Sequence, residues 1–345
     1  MKDQKGNEVS DRWNAGLHWF AIFVAFLTVL LLLAGALVTS NEAGDSVPDW
    51  PLSFGRWLIS SDNFIANVRY EYSHRFIAGM VGIATFALAL WAWFTERRAW
   101  VRWLALIAFL GVVLQAVIGG VRVHFPAYKP LIAVPHALIA QSFFGLIVSL
   151  AVFTSKGWRR QRDVKPDRGG LPLRTLAVAS VAAVLMQLVL GAAFRHGATG
   201  ILPHAAGAVI VTGIVLWTAF ATIRRHGSDA YLGRPAKLLF VLLIAQVSLG
   251  VLAYLARMSS AGYRMSGVGE FFDSMSLAPL AQPNQVQPLE PMISLTAGHL
   301  IVGALTLATI LVLTLRAYRA LAPRRERAVE ISGGSQLASQ RKAAI

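Results

Sequence analysis

Eight apolar runs of about 20 residues recur along this 345-residue chain, and each is long enough to cross a bilayer as a helix. Because 56% of the residues are hydrophobic and only 14% are charged, a soluble globular protein is excluded. The sequence therefore predicts an all-α integral membrane protein with eight transmembrane helices. The runs fall near 17–38, 72–94, 101–121, 131–154, 172–194, 201–223, 236–256 and 293–315.

The formal net charge of +15 lies mostly on one face of this eight-span arrangement. Basic residues cluster in the N-terminal segment, in the links between spans 2 and 3, 4 and 5, and 6 and 7, and in the tail after Leu315. An excess of Lys and Arg in short loops marks the cytoplasmic side. We expect a multi-pass protein of the cell membrane with both termini cytoplasmic, contacts to anionic lipid and no nucleic-acid binding.

The first apolar run follows Lys2 and Lys5, an arrangement that also occurs in cleaved signal peptides. It is longer than the apolar region of about 7–15 residues that such peptides contain. We therefore interpret it as a membrane span.

Four histidines occupy matching places near the starts of apolar runs, and each has Ala or Gly four residues later. A helix places residues i and i+4 on one face, so each run offers an imidazole above a patch bare enough for a flat macrocycle. All four share one depth, within about 10 Å of the outer hydrocarbon boundary. The pattern indicates haem bound inside a membrane. The histidines are His74, His136, His204 and His299, followed by Ala78, Ala140, Ala208 and Gly303.

A second repeat lies on the alternate spans, where the motif Q-x-x-x-G recurs. It covers Gln115–Gly119, Gln187–Gly191 and Gln246–Gly250, and Gly35 holds the glycine position in the first span. A small residue there lets helices, or a ligand, approach closely.

This self-similarity predicts two pseudo-symmetric four-helix bundles, with His74 paired to His136 in the first and His204 paired to His299 in the second. The predicted units are an N-terminal bundle with the substrate site (1–155), a basic cytoplasmic linker (156–171), a C-terminal bundle with the haem b site (172–320) and a cytoplasmic tail (321–345).

Four imidazoles suit copper or zinc as well as haem iron. A single copper or zinc site would need all four to converge, whereas the repeat separates them into two pairs, so two bis-histidine haems fit better. A strictly bis-histidine iron has no vacant position and only passes electrons. An enzyme therefore needs one pair whose ligation can open.

The two halves differ in one acidic residue, Glu71, which precedes His74 by three positions and has no counterpart before the other histidines. On one helical face, its carboxylate can reach the edge of a haem that His74 holds. There it can relay protons or stabilise positive charge on a reacting carbon. The alternative is that Glu71 only complements the positive end of the helix dipole.

Haem propionates need cationic or hydrogen-bonding partners near the outer boundary. Arg122 and Lys129 follow span 3, Arg195 with His196 follows span 5, and Arg75 adjoins His74. Which of these cations would hold propionates stays open, because basic side chains at helix ends also reach for the headgroups without any ligand.

These residues together resemble the haem A synthase family. The segments that carry the resemblance are Gly35-Ala-Leu-Val-Thr39, Pro48-Asp-Trp-Pro51, Glu71-Tyr-Ser-His-Arg75, the Q-x-x-x-G spans, Pro135-His-Ala137 and Phe194-Arg-His196. The resemblance implies oxidation of the haem O methyl group to the formyl group of haem A, for terminal oxidases. It implies Glu71 as the catalytic carboxylate, His74 and His136 around substrate haem, and His204 and His299 as haem b ligands. Haem O synthase and oxidase assembly factors are the implied partners.

The chain departs from that family in its first outer loop, where many members carry two cysteines and this chain has Val47 and Ser53. Cysteine is absent throughout, which excludes a disulfide, a thiolate nucleophile or an iron–sulfur cluster built from this chain. The long outer segment at 257–292 is a second departure, and we assign it no role.

Two other functions fit the same residues. One is a di-haem b-type cytochrome that carries electrons from quinol to a partner, without chemistry on the porphyrin. The other is a non-enzymatic haem carrier or assembly factor. Glu71 and the inequality of the halves argue against the electron carrier.

Overall fold

A computed structural model of the chain describes residues 13–160, 162–167, 170–260 and 290–322. Within these ranges eight helices are long and apolar enough to span a membrane, which confirms the all-helical prediction. They are α1 (Ala15–Ser40), α2 (Val68–Thr95), α3 (Ala99–His124), α4 (Lys129–Thr154), α5 (Leu173–Arg195), α6 (Ile201–His226), α7 (Ala230–Ser260) and α8 (Glu290–Ala320).

Several helices extend beyond the apolar runs that predicted them. Helix α7 begins at Ala230 rather than near 236, and α8 continues to Ala320 rather than ending near 315. Apolar composition stops at charged residues such as Arg234 and Arg316, whereas backbone hydrogen bonding continues through them. Long basic side chains let a helix leave the hydrocarbon without unwinding.

The helices of each half contact one another in a closed ring. In the first half α1 packs against α2 and α4, and α3 packs against α2 and α4; in the second, α5 and α7 each pack against α6 and α8. Helices α1 and α4 contact α8, and α4 also contacts α5, so the halves meet along these helices. The pseudo-symmetry of two bundles and the proposed domain boundaries stay predictions.

Each ring surrounds its own apolar cluster, which fixes the rotation of its helices. The first cluster includes Leu17, Leu88 and Ile147, and the second includes Leu239 and Leu307. Large apolar side chains such as Ile83 and Val209 point outward and are 73% and 75% exposed. Lipid tails solvate such side chains, so the outward faces suit a membrane.

The end of α2 away from the histidines carries a buried carboxylate, Glu96. Its oxygens lie 2.8 Å from Arg98 Nη2 and 2.5 Å from Arg159 Nη2, and the Glu96 side chain is fully inaccessible. Arg98 also donates to the Phe153 carbonyl at 2.9 Å. Burial by itself would raise the pKa of Glu96, but hydrogen bonds from Arg98 and the charges of Arg98 and Arg159 lower it to about 2. This cluster ties α2 to the start of the linker.

We expect Glu96→Gln to destabilise the protein by about 3 kcal/mol at neutral pH, because two cations lose their buried partner. A carboxylate with a lowered pKa stabilises fully above its ordinary value of 4.5, and this stabilisation is lost as the pH falls from 4.5 towards 2. Thermal unfolding in detergent should therefore show a large gap between wild type and variant at pH 7 and a smaller one at pH 3. The exposed Asp62→Asn is the matched control, and a gap independent of pH would contradict the assignment.

Candidate functional site

Each predicted histidine lies against a glycine of the preceding long helix. A Cβ atom added to Gly35, Gly191 or Gly250 would stand 3.2, 2.9 or 2.8 Å from the Cε1 of the facing imidazole, of His74, His204 and His299 respectively. Real Cβ atoms essentially never come within 3.0 Å of another group, so alanine at Gly191 or Gly250 would displace the ring, and at Gly35 the contact would be tighter than most real ones. At Gly119 the corresponding distance, to His136 Cε1, is an ordinary 3.8 Å. The glycines therefore leave the space that the histidine rings occupy.

The glutamine of the repeated motif binds the same histidine that the glycine seats. Gln115 Nε2 donates to the His136 carbonyl at 2.8 Å, and Gln187 Nε2 donates to the His204 carbonyl at 2.8 Å. In the fourth pair, His299 Nδ1 donates to the backbone carbonyl of Gln246 at 3.0 Å. The sequence analysis missed this role, although the recurrence of glutamine four residues before glycine was a signal.

The small residues four positions after the histidines were predicted to form bare patches for a macrocycle. At Gly303 an added Cβ would stand 3.1 Å from Gln246 Nε2, so the Gln246 amide lies over this position. The same amide nitrogen is 3.3 Å from His299 Nε2. A macrocycle bound to His299 would therefore have to displace this amide.

The imidazoles of His204 and His299 face each other with centroids 6.3 Å apart and ring planes at 83°. Two imidazoles on opposite sides of one metal ion would have centroids about 6 Å apart, from two metal–nitrogen bonds of about 2 Å and about 1 Å within each ring. Phe194 stacks on His204 with an interplanar angle of 10° and a centroid distance of 6.5 Å. The pair is therefore spaced for one shared metal centre.

His74 and His136 lie close enough to influence each other electrostatically. Nδ1 of each ring is buried and has no hydrogen-bond partner in the described part of the chain. Such a nitrogen calls for an explanation, because buried polar atoms are nearly always paired. A ligand that occupies the space between these rings would supply one.

A single four-histidine metal site is not formed. Within the described ranges, no group of three or more His, Cys, Asp and Glu side chains comes close enough to hold a metal ion. The histidines thus offer pairs, the donor set that iron in a porphyrin takes from a protein.

Glu71 and Arg75 form the polar anchor of the first outer loop. Arg75 Nη2 lies 2.6 Å from Glu71 Oε1, and Glu71 Oε2 accepts the Val47 N–H at 3.0 Å. Arg75 also donates to the backbone carbonyls of Asp49, Leu52 and Val47, at 2.6, 3.1 and 3.1 Å. In the structure Arg75 therefore binds the loop. The sequence alone had left a haem propionate or the lipid headgroups as its possible partners.

The Pro48-Asp-Trp-Pro51 segment packs onto α3 through its tryptophan. A Cβ at Gly120 would stand only 2.5 Å from Trp50 Cδ2, so the indole lies directly on this glycine. Asp49 accepts the N–H groups of Phe54 and Gly55, both at 2.7 Å, which closes the turn. The loop is thus fixed to the end of the first half that carries His74.

The two arginines predicted for haem propionates also bind the first half. Arg122 Nη1 donates to the Gly44 carbonyl at 3.1 Å. Arg195 Nη2, from the second half, donates to the Ala36 carbonyl at 2.9 Å and to Ser40 Oγ at 2.8 Å. A guanidinium has five N–H donors, so both retain capacity for a carboxylate. The Lys129 side chain lies outside the described residues.

His196 follows α5 and lies between the two halves, near Arg195, Arg122 and His136. Burial, and then the charges of the two arginines, lower the pKa of His196 to about 4. The ring is therefore neutral at pH 7, and it can donate or accept a hydrogen bond without adding charge.

Arg257 is a further cation near the second histidine pair that the sequence analysis did not single out. Its guanidinium lies 5.2 Å from the centroid of Phe194, the ring stacked on His204. An arginine follows the glycine of each Q-x-x-x-G motif by one or two helical turns, which was the available signal. Residues 261–289 of the outer segment predicted at 257–292 lie outside the described ranges.

We expect Gly250→Ala to displace the His299 ring and destabilise the protein, because the new Cβ would lie 2.8 Å from the imidazole. Overpacking of this kind costs about 1–3 kcal/mol and should alter the electronic absorption of any metal that His299 binds. Gly119→Ala is the matched control, since its Cβ has an ordinary contact distance of 3.8 Å. Equal effects of the two substitutions on thermal unfolding and absorption would contradict the seating role.

Comparison with known proteins gives a consistent result. The family model COX15-CtaA, described as a cytochrome oxidase assembly protein, matches residues 17–203. A protein named heme A synthase from Exiguobacterium sp. strain AT1b is 28% identical over 178 residues, 50% of this chain and 58% of the relative. Those from Exiguobacterium sibiricum and Geobacillus kaustophilus are 28% and 31% identical, over 54% and 40% of this chain and 62% and 44% of their own lengths.

The chain thus spans about half the length of the curated relatives it matches. The family match includes His74, His136 and the outer loop, and it ends at Pro203, directly before His204. The second histidine pair therefore depends on the geometry described above rather than on the family match.

Proposed function

The chain belongs to the COX15-CtaA family of cytochrome oxidase assembly proteins, and from that premise we propose that it is a haem A synthase that oxidises a methyl group of haem O to a formyl group. The observation that carries the proposal is the outer end of the first half. There, within the matched region, the Nδ1 atoms of His74 and His136 are buried and have no hydrogen-bond partner in the described part of the chain. The buried carboxylate of Glu71 precedes His74 by three residues.

In this proposal the first half takes haem O as its substrate. His74 and His136 flank the iron of the substrate, and at least one of them releases it during turnover so that chemistry can take place. His136 suits release better than the second pair, since its Nδ1 has no hydrogen-bond partner in the described part of the chain, whereas Gln187 and Gln246 engage His204 and His299.

The second half suits a resident haem b. The 6.3 Å separation of the His204 and His299 centroids would allow both imidazoles to hold the iron of one haem. Haem b would supply one-electron transfer. His204 and His299 would hold it, Phe194 would cover His204 from one side, and Arg257 would add positive charge near its edge.

The proposed reaction passes from methyl to alcohol to aldehyde in two successive two-electron oxidations. With water as the source of oxygen, the overall half-reaction is R–CH₃ + H₂O → R–CHO + 4 H⁺ + 4 e⁻, and the second half would pass the electrons to an external acceptor. Glu71 is the carboxylate nearest in sequence to the substrate ligand His74, and we assign it the movement of protons and the stabilisation of positive charge on the reacting carbon. Arg75, 2.6 Å away, orients the Glu71 carboxylate.

Arg122 and Arg195 are assigned to the propionates of the bound haems. Each uses part of its guanidinium to hold backbone or hydroxyl oxygens of the first half, and each keeps further N–H donors. Neutral His196 between them can donate a hydrogen bond to the same carboxylates.

The proposal places the protein in the cell membrane with both termini cytoplasmic and the histidines near the outer surface. Haem O, an amphipathic molecule with a large apolar part, would enter from the membrane. Haem O synthase as the supplier and oxidase assembly factors as receivers are the partners we propose.

The test is conversion of haem O in a host that makes haem O and lacks haem A. Expression of the chain should lead to haem A, or its hydroxylated precursor, among the extracted haems. Bound haem b with no converted haem would overturn the proposal in favour of a di-haem electron carrier. Unchanged haem O bound to the purified protein would favour a carrier or assembly factor instead.

A further inference from the structure

A cavity of about 560 Å³ opens at the end of the molecule opposite to the histidines, between α7 and α8. Its lining combines arginines Arg162, Arg234 and Arg316 with Tyr231 and an apolar floor. Arg316 follows His299 by 17 residues on one helix, so the arginine end of the cavity lies about 25 Å from the second histidine pair, and no histidine lines the cavity. It is separate from both proposed haem sites.

Tyr231 is the buried polar centre of this cavity. Its side chain is only 8% exposed, and its hydroxyl has no hydrogen-bond partner within the described part of the chain. The guanidinium carbons of Arg162 and Arg316 lie 3.8 and 4.8 Å from the ring centroid. Arg162 Nε is also buried without a partner. Unpaired buried donors beside two guanidinium groups mark a place for an anionic ligand.

The nearby acidic residue does not neutralise this charge. Asp229 accepts Lys165 Nζ at 2.8 Å, whereas Arg162 Nη1 is 3.9 Å from the Asp229 carboxylate. Arg316 donates to the Tyr231 carbonyl at 3.0 Å, which leaves its other N–H groups for a ligand. The cavity has three arginines, whereas the one nearby acid already pairs with Lys165, so the site carries a net positive charge. Guanidinium groups bind the oxygen atoms of a phosphate well.

The floor of the cavity shows which phosphate compound fits. Leu238 and Leu305 line it and are 48% and 36% exposed, so the apolar part opens sideways towards the bilayer. Leu238 lies two helical turns beyond Tyr231, so the apolar groove extends about 10 Å into the hydrocarbon. A soluble anion would leave this groove uncovered, whereas an acyl chain would fill it.

We propose that this cavity binds an anionic phospholipid, with the phosphate between Arg162, Arg234 and Arg316 and an acyl chain along Leu238 and Leu305. Tyr231 donates its hydroxyl hydrogen to a phosphate oxygen. The sequence just after residue 322 contains Arg324, Arg325 and Arg327, and its positive charge makes it a poor occupant of a cavity lined by arginines. The site would hold α7 and α8 together at the membrane surface.

The test is native mass spectrometry of the full-length protein in detergent, titrated with phosphatidylglycerol or phosphatidylcholine. We expect preferential binding of phosphatidylglycerol, weakened about 30-fold by Arg162→Gln with Arg234→Gln and about fivefold by Tyr231→Phe. The matched control is Arg97→Gln with Arg224→Gln, two exposed arginines at the same end of the molecule that do not line the cavity. Unfolding temperatures establish that each variant is folded.

Equal retention of phosphatidylglycerol by the cavity variant and the control would overturn the proposal. So would equal binding of the two lipids. A third arm adds inorganic phosphate alone. If phosphate at millimolar concentration displaces the lipid and its own binding depends on the same arginines, the site belongs to a soluble anion and the lipid assignment is wrong.

Discussion

Substitution of His299 by alanine is expected to abolish any low-spin haem b signal of the purified protein, because the proposed haem would lose one of the two histidines that hold it, whose ring centroids lie 6.3 Å apart. His204→Ala should have the same result. We expect at least about a tenfold loss of tightly bound haem b from either substitution, since even changes behind a metal ligand cost 10- to 100-fold in affinity. Visible and electron paramagnetic resonance spectra of the reduced and oxidised protein measure the loss.

Two controls make this prediction specific. His124→Ala removes an exposed histidine at the end of α3 and should leave the spectrum unchanged. His74→Ala should leave the signal of the second half intact while it abolishes conversion of haem O, since His74 contacts Gly35 of the first half. If His74→Ala and His299→Ala remove the same spectral component, the proposed pairing is incorrect.

Hydropathy and the histidine repeat predicted much of this arrangement from sequence alone. Eight spans follow from apolar length, since an unpaired backbone in lipid is so costly that only helices or closed barrels remain. The start of α7 was predicted too late and the end of α8 too early, because the charged Arg234 and Arg316 interrupt the apolar pattern without interrupting the helix. Helical hydrogen bonds extend into the headgroup region, where hydropathy carries no signal.

The partners of the site residues were harder to predict than the residues themselves. Gln187 contacts His204 only because α5 and α6 adopt one particular relative rotation, which periodicity on a single helix does not define. Arg75 posed a similar problem, since its partners lie on an outer loop that folds back through irregular turns. A sequence pattern without periodicity gives no register for such a loop.

The outer loop of this chain is held without cysteine, which the sequence lacks altogether. Val47 and Ser53 are both buried, and each takes part in backbone hydrogen bonding, Val47 with Glu71 and Ser53 with Arg56. Arg75 donates to three carbonyls across the same segment. Hydrogen bonds and an ion pair therefore hold this loop.

Glu71 binds the backbone of the loop and is also the proposed catalytic carboxylate, which leads to the second large prediction. Glu71→Gln should lower the conversion of haem O by about 100-fold or more, because the amide neither accepts a proton nor stabilises positive charge as a carboxylate does. Its oxygen can still accept the Val47 N–H, so we expect the loop to stay packed. The yield of haem A and its hydroxylated precursor per protein-bound haem b measures the effect.

Arg75→Gln separates the loop anchor from the chemistry, since it removes the contacts to Val47, Asp49 and Leu52 and leaves the carboxylate in place. We expect limited proteolysis to cut the loop faster in this variant than in Glu71→Gln, with a smaller loss of conversion. The exposed Arg69→Gln, on the same helix, controls for charge. If Glu71→Gln loosens the loop as much as Arg75→Gln and conversion falls in proportion to cleavage, Glu71 is a brace for the loop, and the proton transfer that we assign to it takes place elsewhere.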